Sequence, residues 1–386
     1  MEIGQIRERL QKDIAHLRAP EGFLYAGHPN FHTLFGRDSI IAAWQMLGIE
    51  PAIVRATLTI LATHQGRSLN LAKEEEPGKI LHEHRFDVES RRQLPHWEFP
   101  YYGSVDSTPL FVYLAGIYDE QARDDGFLRK LWPSVLSAYT WVNRCAEVGG
   151  GYLRYERKNP HGLFHQGWKD GSDDHLKIRP PVAIVEAQGY AFAAYRAFAE
   201  MAERFGAASL AAEASERARI LQDRFNRDFW VRGEFFALAL DKSNVPRAVA
   251  TSNPGHLLFT GILSPERSAQ TVARLFRPDL WTPYGIRTHS ALASDFNPYG
   301  YHTGTVWPHD NWIISEGLRR SGFQREGQRI TEALVAAYDE MGKIPELYAV
   351  VDEGLVDLSK TPLGATRANP LQAWASAGLL ALLQDR

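Results

Sequence analysis

Carboxylates and aromatic side chains occur side by side in several segments of this 386-residue sequence. Trp168 is two residues from Asp170, and Glu346 is two residues from Tyr348. Aromatic rings stack on the C–H faces of a sugar, while carboxylates, amides and guanidinium groups hydrogen-bond to its hydroxyls. Cleavage of a glycosidic bond needs two carboxyl groups, one as proton donor and one as base or nucleophile. The composition therefore favours a carbohydrate pocket over a pocket for an apolar ligand.

Two other acidic residues, Asp38 and Asp106, can be interpreted in two ways. Asp38 and Asp106 each come directly before a predicted helix. A carboxylate at that position caps the free amide groups of the first helical turn. The sequence leaves helix capping and sugar binding open for both residues.

Signatures of other chemistries are missing from the sequence. His82 and His84 would share one face of a strand and could meet a metal ion, but no third ligand has a recognisable spacing and no HExxH motif occurs. Phosphate-loop, dinucleotide-binding and GxSxG motifs are missing too. We therefore expect no metal and no cofactor. The single cysteine, Cys145, lies in a predicted helix, where we expect it to be part of the core.

Helical periodicity and helix start and stop signals predict twelve helices. Their expected positions are about 2–17, after Asp38, 51–65, after Asp106, 125–145, 181–204, 207–228, from near Pro254, from Ser264, 308–321, 324–341 and 370–384. Short strands are expected only at 151–156 and 234–240.

Short and long connections alternate between the predicted helices. Helices joined by a few residues are antiparallel neighbours, so each connection of roughly 20 to 40 residues leaves the fold at the same end. Long loops in a compact fold are usually functional. The alternation predicts an all-α fold, an (α/α)6 barrel with short loop strands and its site at the loop face. An irregular helical bundle is the alternative.

Composition limits the class of protein further. Lys plus Arg number 43 and Asp plus Glu number 46, so the net charge of −3 argues against nucleic-acid binding. No run of 18 apolar residues is present, so we expect no membrane span. The charged start is no secretory signal, which with the single cysteine predicts a cytoplasmic location. No linker is recognisable, so we expect residues 1–386 to form a single domain, and the oligomeric state stays open.

The order of seven motifs resembles the catalytic barrel of amylo-α-1,6-glucosidase (glycogen-debranching) proteins. It is similarly close to glycoside hydrolase family 63, with its mannosylglycerate and glucosylglycerate hydrolases, and to trehalase-like relatives. The motifs are FGRDS (35–39), GKILHEHR (78–85), YYGSVDSTPLF (101–111), QGWKD (166–170), GTVWPHDNW (304–312), PELY (345–348) and NPLQAW (369–374). This resemblance implies an (α/α)6 barrel and a hydrolase that inverts the anomeric configuration.

The resemblance also implies roles for two carboxyl groups. The general acid falls on Asp170, in a Gly-Trp-x-Asp-like segment, and the general base on Glu346, before the last helix. Family members often read Trp-Lys-Asp-Ser-Gly-Asp where this chain reads Trp-Lys-Asp-Gly-Ser-Asp, so Asp173 is an alternative acid. Asp310 and Glu316 are weaker alternatives for the base.

An inverting site sets requirements for its two carboxyl groups and its first sugar subsite. The carboxyls should be about 6.5–9.5 Å apart to hold a water, the acid should have a raised pKa and the base should stay ionised. Gln188 lies inside a predicted helix, where it could instead be a core amide. We expect the following residues to shape the subsite: Arg37, Asp38, Tyr101, Asp106, Trp168, Gln188, Trp307, His309 and Trp374.

The expected substrate is a small α-glucoside or α-mannoside cleaved by exo action. Debranching enzymes carry large additional domains before the barrel, and this sequence shows none. We therefore expect glucosylglycerate, mannosylglycerate or an isomaltose-type sugar rather than glycogen. A sugar 2-epimerase, which would need His64, His82, His289 or His309 to move a carbon-bound proton, is one alternative. A non-catalytic sugar-binding protein is the other.

Overall fold

A computed structural model of the protein describes residues 2–231, 233–361 and 366–384. The described residues are mostly helical, and their strands are only two or three residues long. The α-helices are α1 (Ile3–His16), α2 (Gly36–Met46), α3 (Pro51–Thr63), α4 (Val88–Arg92), α5 (Ser107–Ala122), α6 (Asp125–Val148), α7 (Val185–Arg204), α8 (Ala208–Asp228), α9 (Pro265–Leu275), α10 (Pro308–Arg320), α11 (Gln324–Met341) and α12 (Ala373–Gln384). Two short 3-10 helices cover Asn253–Leu257 and Leu358–Lys360.

The helices form two concentric layers, because their sequences differ in how much apolar surface they carry. Helices α2, α5, α7, α10 and α12 are buried on nearly every side. Helices α1, α6, α8 and α11 bury a single face, as the apolar positions of an amphipathic helix require. The fully buried helices are therefore the inner layer and the amphipathic ones the outer layer.

The inner layer closes into a ring. Going around it, α2 contacts α5, α5 contacts α7, α7 contacts the 3-10 helix Asn253–Leu257, that helix contacts α10, α10 contacts α12, and α12 contacts α2. The outer helices pair with it in six hairpins, namely α2 with α3, α5 with α6, α7 with α8, the 3-10 helix Asn253–Leu257 with α9, α10 with α11, and α12 with α1. This arrangement confirms the predicted all-α, six-hairpin barrel, with its last hairpin formed by the two ends of the chain.

The predicted helices match the observed ones at all but one position. The helix expected from Pro254 is only the 3-10 helix Asn253–Leu257, and the chain turns soon afterwards at Gly261, whose φ is +79°. The helix α4 was not expected. The strand expected at 151–156 is wrong, since only Tyr155 pairs there, in an isolated bridge with Val182. The strand expected at 234–240 is two separate short strands.

Two-stranded antiparallel ribbons lie at one end of the ring. Three strands lead directly into inner helices: Leu34–Phe35 into α2, Ala183–Ile184 into α7 and Leu371–Gln372 into α12. The remaining ribbon strands are Gly27–His28, Glu83–His84, Trp230–Val231, Phe235–Phe236, Ala239–Leu240, Trp281–Thr282, Gly285–Ile286, Ala349–Val351 and Gly354–Val356. The N-terminal ends of the inner helices thus meet the long loops.

No described helix combines the length and the apolar composition that a transmembrane segment needs. The expectation that residues 1–386 form a single domain stays a prediction.

Candidate active site

One arginine ties the start of α2 to two of the long loops. Arg37 lies in the first turn of α2 and is almost completely buried. Its guanidinium donates to both carboxylate oxygens of Asp106, at 3.1 and 3.3 Å, and to the carbonyl oxygen of Gly167 at 3.0 Å. It also donates to the carboxylate of Asp170. The predicted residues Arg37, Asp106 and Asp170 are therefore in direct contact.

Neither acidic residue at a helix start acts as a cap. Helix α2 has Phe35 as its N-cap, and Asp38 lies within the first turn, where Gln372 donates to its carboxylate at 3.4 Å. Asp106 is at the N-cap of α5, but its side chain makes no capping hydrogen bond. The hydroxyl of Ser104 donates to it at 2.7 Å, in addition to Arg37. The capping interpretation is wrong for Asp106, whereas Asp38 is not the N-cap residue but accepts from its own main-chain N–H in the first turn.

Glu346 is a buried carboxylate held by two donors. The Tyr301 hydroxyl donates to one oxygen at 2.5 Å and the main-chain N–H of Asn369 donates to the other at 2.8 Å. Burial raises the pKa of Glu346 to about 7, against these two hydrogen bonds, which favour the ionised form. We expected a base that stays ionised, but Glu346 gains and loses its proton near neutral pH.

The carboxylates at this end of the ring share one electrostatic environment. Burial raises the pKa of Asp170, as expected for an acid, while the neighbouring Arg37 cation opposes the rise. Burial also raises the pKa of Asp38 to about 7. The charge of Asp170 contributes to the raised pKa of both Asp38 and Glu346. Ionising one of these groups therefore makes it harder to ionise the others.

Aromatic rings form a continuous wall beside these carboxylates. The Trp168 ring lies 5.0 Å from His309 and 5.6 Å from Trp307, measured between ring centroids. His309 stacks on Trp374 at 3.7 Å with an interplanar angle of 9°, and His302 stacks on Trp307 at 5.1 Å. The predicted residues Trp168, Trp307, His309 and Trp374 therefore belong to one cluster.

This wall presents polar atoms that lack a protein partner. Both ring nitrogens of His302 and His309 and the indole nitrogens of Trp168 and Trp374 are buried without a hydrogen-bond partner in the part of the chain that the structure describes. Burial holds the pKa of both histidines well below its usual range, so each neutral ring offers one donor and one acceptor. Buried polar atoms need partners, and sugar hydroxyls supply both kinds.

A second buried charge cluster lies behind Trp168. The ammonium of Lys169 donates to the carbonyl oxygen of Thr288 at 2.6 Å, away from Asp170. Asn253 donates to one oxygen of Glu186 at 3.0 Å. Burial lowers the pKa of Lys169 and raises that of Glu186. The ammonium of Lys169 therefore ties its loop to Thr288, and it does not pair with the neighbouring carboxyl of Asp170.

Two predicted subsite residues use their polar atoms elsewhere. The side-chain amide of Gln188 donates to the carbonyls of Leu153 and Ile184 and accepts from the N–H of Leu153, each at 2.9 Å. The Tyr101 hydroxyl accepts from a main-chain N–H and donates to Glu74 at 3.3 Å. The structure does not bring the polar atoms of Gln188 and Tyr101 to the Arg37 cluster.

Two of the three alternative catalytic carboxylates, Asp173 and Glu316, are placed less favourably. The Asp173 side chain is 82% exposed and pairs with His175, so it lacks the burial that raises an acid's pKa. Glu316 is ion-paired with Arg319 and Arg320 toward the far end of α10. Asp310 is buried, and one of its oxygens is 2.7 Å from a ring nitrogen of His256.

The histidines singled out in the sequence have separate surroundings. His82 lies against Phe35 and Tyr101, while His84 lies against His64 and Phe86. The described residues contain no group of three or more His, Cys, Asp or Glu side chains that could hold a metal ion. Of the four histidines considered for epimerisation, His309 alone is in the aromatic wall described above. Cys145 is partly buried and packs against the core.

Sequence reasoning missed several groups at the site. Tyr301 and His302 belong to a Tyr-Gly-Tyr-His segment, and its aromatic and glycine content was the available signal. Gln372 lies in the NPLQAW motif, but its contact with Asp38 spans the two ends of the chain. Asn369 acts through its main-chain N–H, which no side-chain pattern reveals.

A closed helical ring whose loop end carries buried carboxylates beside tryptophan rings is the architecture of the glycoside hydrolases that use helical barrels. The solved structures of this type include the family 63 mannosylglycerate hydrolase of Thermus thermophilus bound to Tris. It matches with a TM-score of 0.71 at 15% identity, covering 99% of this chain and 100% of that chain. The same enzyme in complex with Tris and D-glycerate gives a TM-score of 0.72.

The sequence comparisons agree with the structural ones. The family model of the mannosylglycerate hydrolase MGH1-like glycoside hydrolase domain matches residues 37–352, and the chain belongs to this family. The mannosylglycerate hydrolase of Rubrobacter radiotolerans is 27% identical over 193 residues, which is 48% of this chain and 40% of that protein. The mannosylglycerate hydrolase MGH1 of Selaginella moellendorffii is 34% identical over 82 residues, 21% of this chain and 17% of that protein. Each alignment thus covers less than half of the relative's own length.

Proposed function

We propose that the protein hydrolyses a small α-glycoside with inversion, using Asp170 as general acid and Glu346 as general base. One observation carries the proposal: both carboxyl groups are held in place and raised in pKa at the end of the ring where the aromatic wall offers unpaired polar atoms. The alternative carboxylates Asp173 and Glu316 lack this combination.

Each of the two carboxyl groups transfers one proton in the proposed reaction. Asp170 gives its proton to the glycosidic oxygen as the bond between that oxygen and the anomeric carbon breaks. Glu346 accepts a proton from a water molecule that attacks the anomeric carbon from the opposite face. The products are a free sugar of inverted configuration and the alcohol. The proton that Glu346 gains and the one that Asp170 loses exchange with solvent before the next cycle.

Neighbouring groups orient the two carboxyls and oppose the rise that burial causes in the pKa of each. Arg37 orients Asp170 and limits the rise of its pKa, since a cation favours the carboxylate. Tyr301 and the N–H of Asn369 orient Glu346 and help it to ionise. A base with a pKa near the working pH transfers protons efficiently, and a pKa of about 7 suits that requirement.

We propose mannosylglycerate or glucosylglycerate as the type of substrate. The curated relatives and the solved Thermus structures carry the name mannosylglycerate hydrolase, and that enzyme has been solved with D-glycerate and with glucose. A substrate of this size has a single sugar to release, which makes the action exo. An α-1,6-glucoside of isomaltose type is the other substrate to test.

Two single substitutions test the catalytic assignment. We expect Asp170→Asn and Glu346→Gln each to lower kcat on the preferred glycoside by about 10²–10⁴-fold, because each removes one proton-transfer group. An α-glycosyl fluoride needs little protonation to release fluoride, so Asp170→Asn should lose much less activity on the fluoride than on the O-glycoside. Release of free sugar from mannosylglycerate, glucosylglycerate and isomaltose is the measurement.

Asp173→Asn is the matched control for these variants. It removes an exposed carboxylate three residues from Asp170, and we expect its kcat to stay close to that of the wild type. If Asp173→Asn were inactive while Asp170→Asn kept full activity, the assignment of the acid would be wrong.

A further inference from the structure

A buried glutamate outside the proposed catalytic pair joins two of the long loops. Glu74 is 4% exposed and has a φ of +55°, in the left-handed region that is unfavourable for residues other than glycine. Such a conformation costs free energy and persists only when the surrounding contacts hold it. The contacts of Glu74 therefore need an explanation.

The Glu74 carboxylate accepts hydrogen bonds from two other segments of the chain. The main-chain N–H groups of Lys158 and Asn159 and the hydroxyl of Tyr101 donate to Oε1, at 3.2, 3.2 and 3.3 Å. The side-chain amide of Gln166 donates to Oε2 at 2.6 Å. A carboxylate that accepts several hydrogen bonds within the protein is a rigid junction. Glu74 thus fastens the segment 158–166 to its own loop.

The chain around this junction is shaped to admit it. Gly162 has no side chain, and a Cβ there would come within 2.5 Å of the Tyr101 hydroxyl and 2.7 Å of Glu74 Oε1. Asn159 adds a second link between the two loops, because its side-chain amide donates to the carbonyl of Ala72 at 2.7 Å. The two loops are therefore joined from both sides.

Gln166 links the junction to the proposed acid. Its carbonyl oxygen accepts from the N–H of Val105 at 2.9 Å, next to Asp106. The residue after it, Gly167, accepts from Arg37, which also holds Asp170. A displacement of Gln166 would move the start of the 166–170 segment against its partners.

Packing alone does not hold this segment from behind. A cavity of about 340 Å³ lies on its outer side, and its lining includes Glu74, Ser104, Val105 and Gln166. Close-packed neighbours fix a loop by contact, so next to a cavity the hydrogen bonds of the segment, including that from Gln166 to Glu74, have a larger part in setting its position.

We infer that Glu74 is a positioning residue that acts through Gln166 to set the location of the Asp170 carboxyl. The inference rests on the proposed function of Asp170. It predicts that loss of the Glu74–Gln166 hydrogen bond harms proton donation to the leaving group while leaving steps that need no proton donor intact. Misplacement of a catalytic group by about 1 Å can cost about 10²-fold in rate.

The test compares an O-linked α-glycoside with the α-glycosyl fluoride of the same sugar. Glu74→Gln keeps the shape of the side chain and the acceptor Oε1. It replaces Oε2 by an amide NH2 group, which cannot accept the hydrogen bond from Gln166. We expect kcat on the O-glycoside to fall at least tenfold, with the fluoride nearly unaffected. The reciprocal variant, Glu74→Gln with Gln166→Glu, rebuilds this bond in reverse but loses the bond from the Gln166 amide to the carbonyl of Leu163 at 3.3 Å, so it should regain part of the lost kcat.

Two further variants make the outcome decisive. Glu75→Gln changes a carboxylate of the same loop that accepts from Arg67 and Ser68 instead, so the ratio of the two rates should not move. Gln166→Met removes the same bond from its other side, together with the bond to the carbonyl of Leu163. It should reproduce the loss, and it keeps the test available if Glu74→Gln does not fold. Equal losses on both substrates, or no loss, would overturn the positioning role.

Asp170→Asn serves as the reference for the whole experiment. If it shows the selective loss on the O-glycoside but Glu74→Gln and Gln166→Met do not, the positioning inference is wrong and the proposed function stands. If Asp170→Asn itself shows no selective loss, the proposed acid is wrong, and the role given to Glu74 falls with it.

Discussion

Two opposing influences set the proton affinity of Glu346. Burial disfavours its charged form, while the hydroxyl of Tyr301 and the N–H of Asn369 favour it. Burial has the larger effect, so the pKa rises to about 7 instead of staying near its usual value. A base must be ionised to accept a proton, so activity should increase as the pH rises through this range.

Removing the Tyr301 hydroxyl should move this part of the pH profile. Its hydrogen bond lowers the pKa of Glu346, so Tyr301→Phe should raise that pKa and shift the acid limb of kcat/KM to higher pH. The profile of kcat/KM between about pH 5 and 9, compared with the wild type, is the measurement. Because Glu346 and Asp170 influence each other, the observed values belong to the pair.

Tyr284→Phe is a suitable control for this experiment. Tyr284 also donates its hydroxyl to a glutamate, Glu340, at 2.6 Å, but that pair is exposed. We expect its pH profile to match that of the wild type. A shift of the Tyr301→Phe acid limb to lower pH would contradict the role given to the hydrogen bond.

The sequence could predict residue types at the site better than residue contacts. The loop motifs that carry the family resemblance pointed to Arg37, Asp106, Asp170 and Trp168, and the structure brings Arg37 into contact with both carboxylates and with the residue before Trp168. Gln188 has the right chemistry for sugar binding, yet its amide is used by main-chain groups. Composition cannot distinguish a free amide from a satisfied one, because the difference depends on long-range folding.

At the scale of elements, the ends of the inner helices carry the site. The start of α2 and the start of α5 are joined by the Arg37–Asp106 ion pair, whose side chains are 4% and 0% exposed. A buried pair of this kind contributes modest net stability, but breaking one side leaves an uncompensated charge in the interior. The stability of this end therefore depends on keeping both partners.

Replacing the cation alone should be strongly destabilising. We expect Arg37→Met to lower the free energy of unfolding by about 3–5 kcal/mol. Adding Asp106→Asn should return part of that loss, since the unpaired carboxylate is then removed. Urea unfolding followed by circular dichroism is the measurement.

An exposed ion pair provides the comparison. Arg55 pairs with Asp124 at 2.5 Å, but the Arg55 side chain is 55% exposed, so Arg55→Met should cost no more than about 1 kcal/mol. Equal effects of Arg37→Met and Arg55→Met would show that burial of the Arg37 cluster does not matter.

Helix positions were predictable because local signals define them. Pro51 and Pro308 occupy first-turn positions, and Ser264 and Asp124 accept capping hydrogen bonds from the amides of Arg267 and Phe127. The helix predicted from Pro254 is longer than the observed 3-10 helix Asn253–Leu257. The periodicity of the sequence continues, but the chain turns at Gly261. The ribbons were missed since two-residue strands have no detectable alternation.

At the scale of the whole molecule, the inner ring depends on close approach of its helices. Helices α5 and α7 cross where Gly116 faces Ala197, and a Cβ on Gly116 would come within 2.5 Å of the Ala197 Cβ. Real Cβ atoms do not approach so closely, so a side chain at this position would push two neighbouring helices of the ring apart.

Gly→Ala substitutions at Gly116 and Gly4 should therefore change the free energy of unfolding in opposite directions. Gly116→Ala should destabilise the protein by about 1–3 kcal/mol through overpacking. Gly4 lies in the outer helix α1 with no atom within 4 Å of its Cβ position, so Gly4→Ala should stabilise by up to about 1 kcal/mol through helix propensity. Urea unfolding of both variants is the measurement, and a stabilising effect of Gly116→Ala would contradict the close crossing.

The barrel was predictable from the alternation of loop lengths, but the direct pairing of its first and last helices left no local signal. Short connections identify hairpins within the chain, whereas the sixth hairpin joins α12 to α1 across the two ends. Gly27–His28 pairs with Leu371–Gln372 at the same place. Contacts between residues so distant in sequence leave no local pattern.

The stereochemistry of the first sugar released is the most direct test of the proposed mechanism. Purified protein would be mixed with mannosylglycerate or glucosylglycerate, and anomeric protons would be followed by NMR before mutarotation equilibrates the product. We expect the β-anomer to accumulate first, and neither Asp170→Asn nor Glu346→Gln to produce it at the wild-type rate. Initial release of the α-anomer would contradict the assignment of Glu346 as a general base. Folded protein that releases no sugar from mannosylglycerate, glucosylglycerate or isomaltose would contradict the proposed hydrolysis.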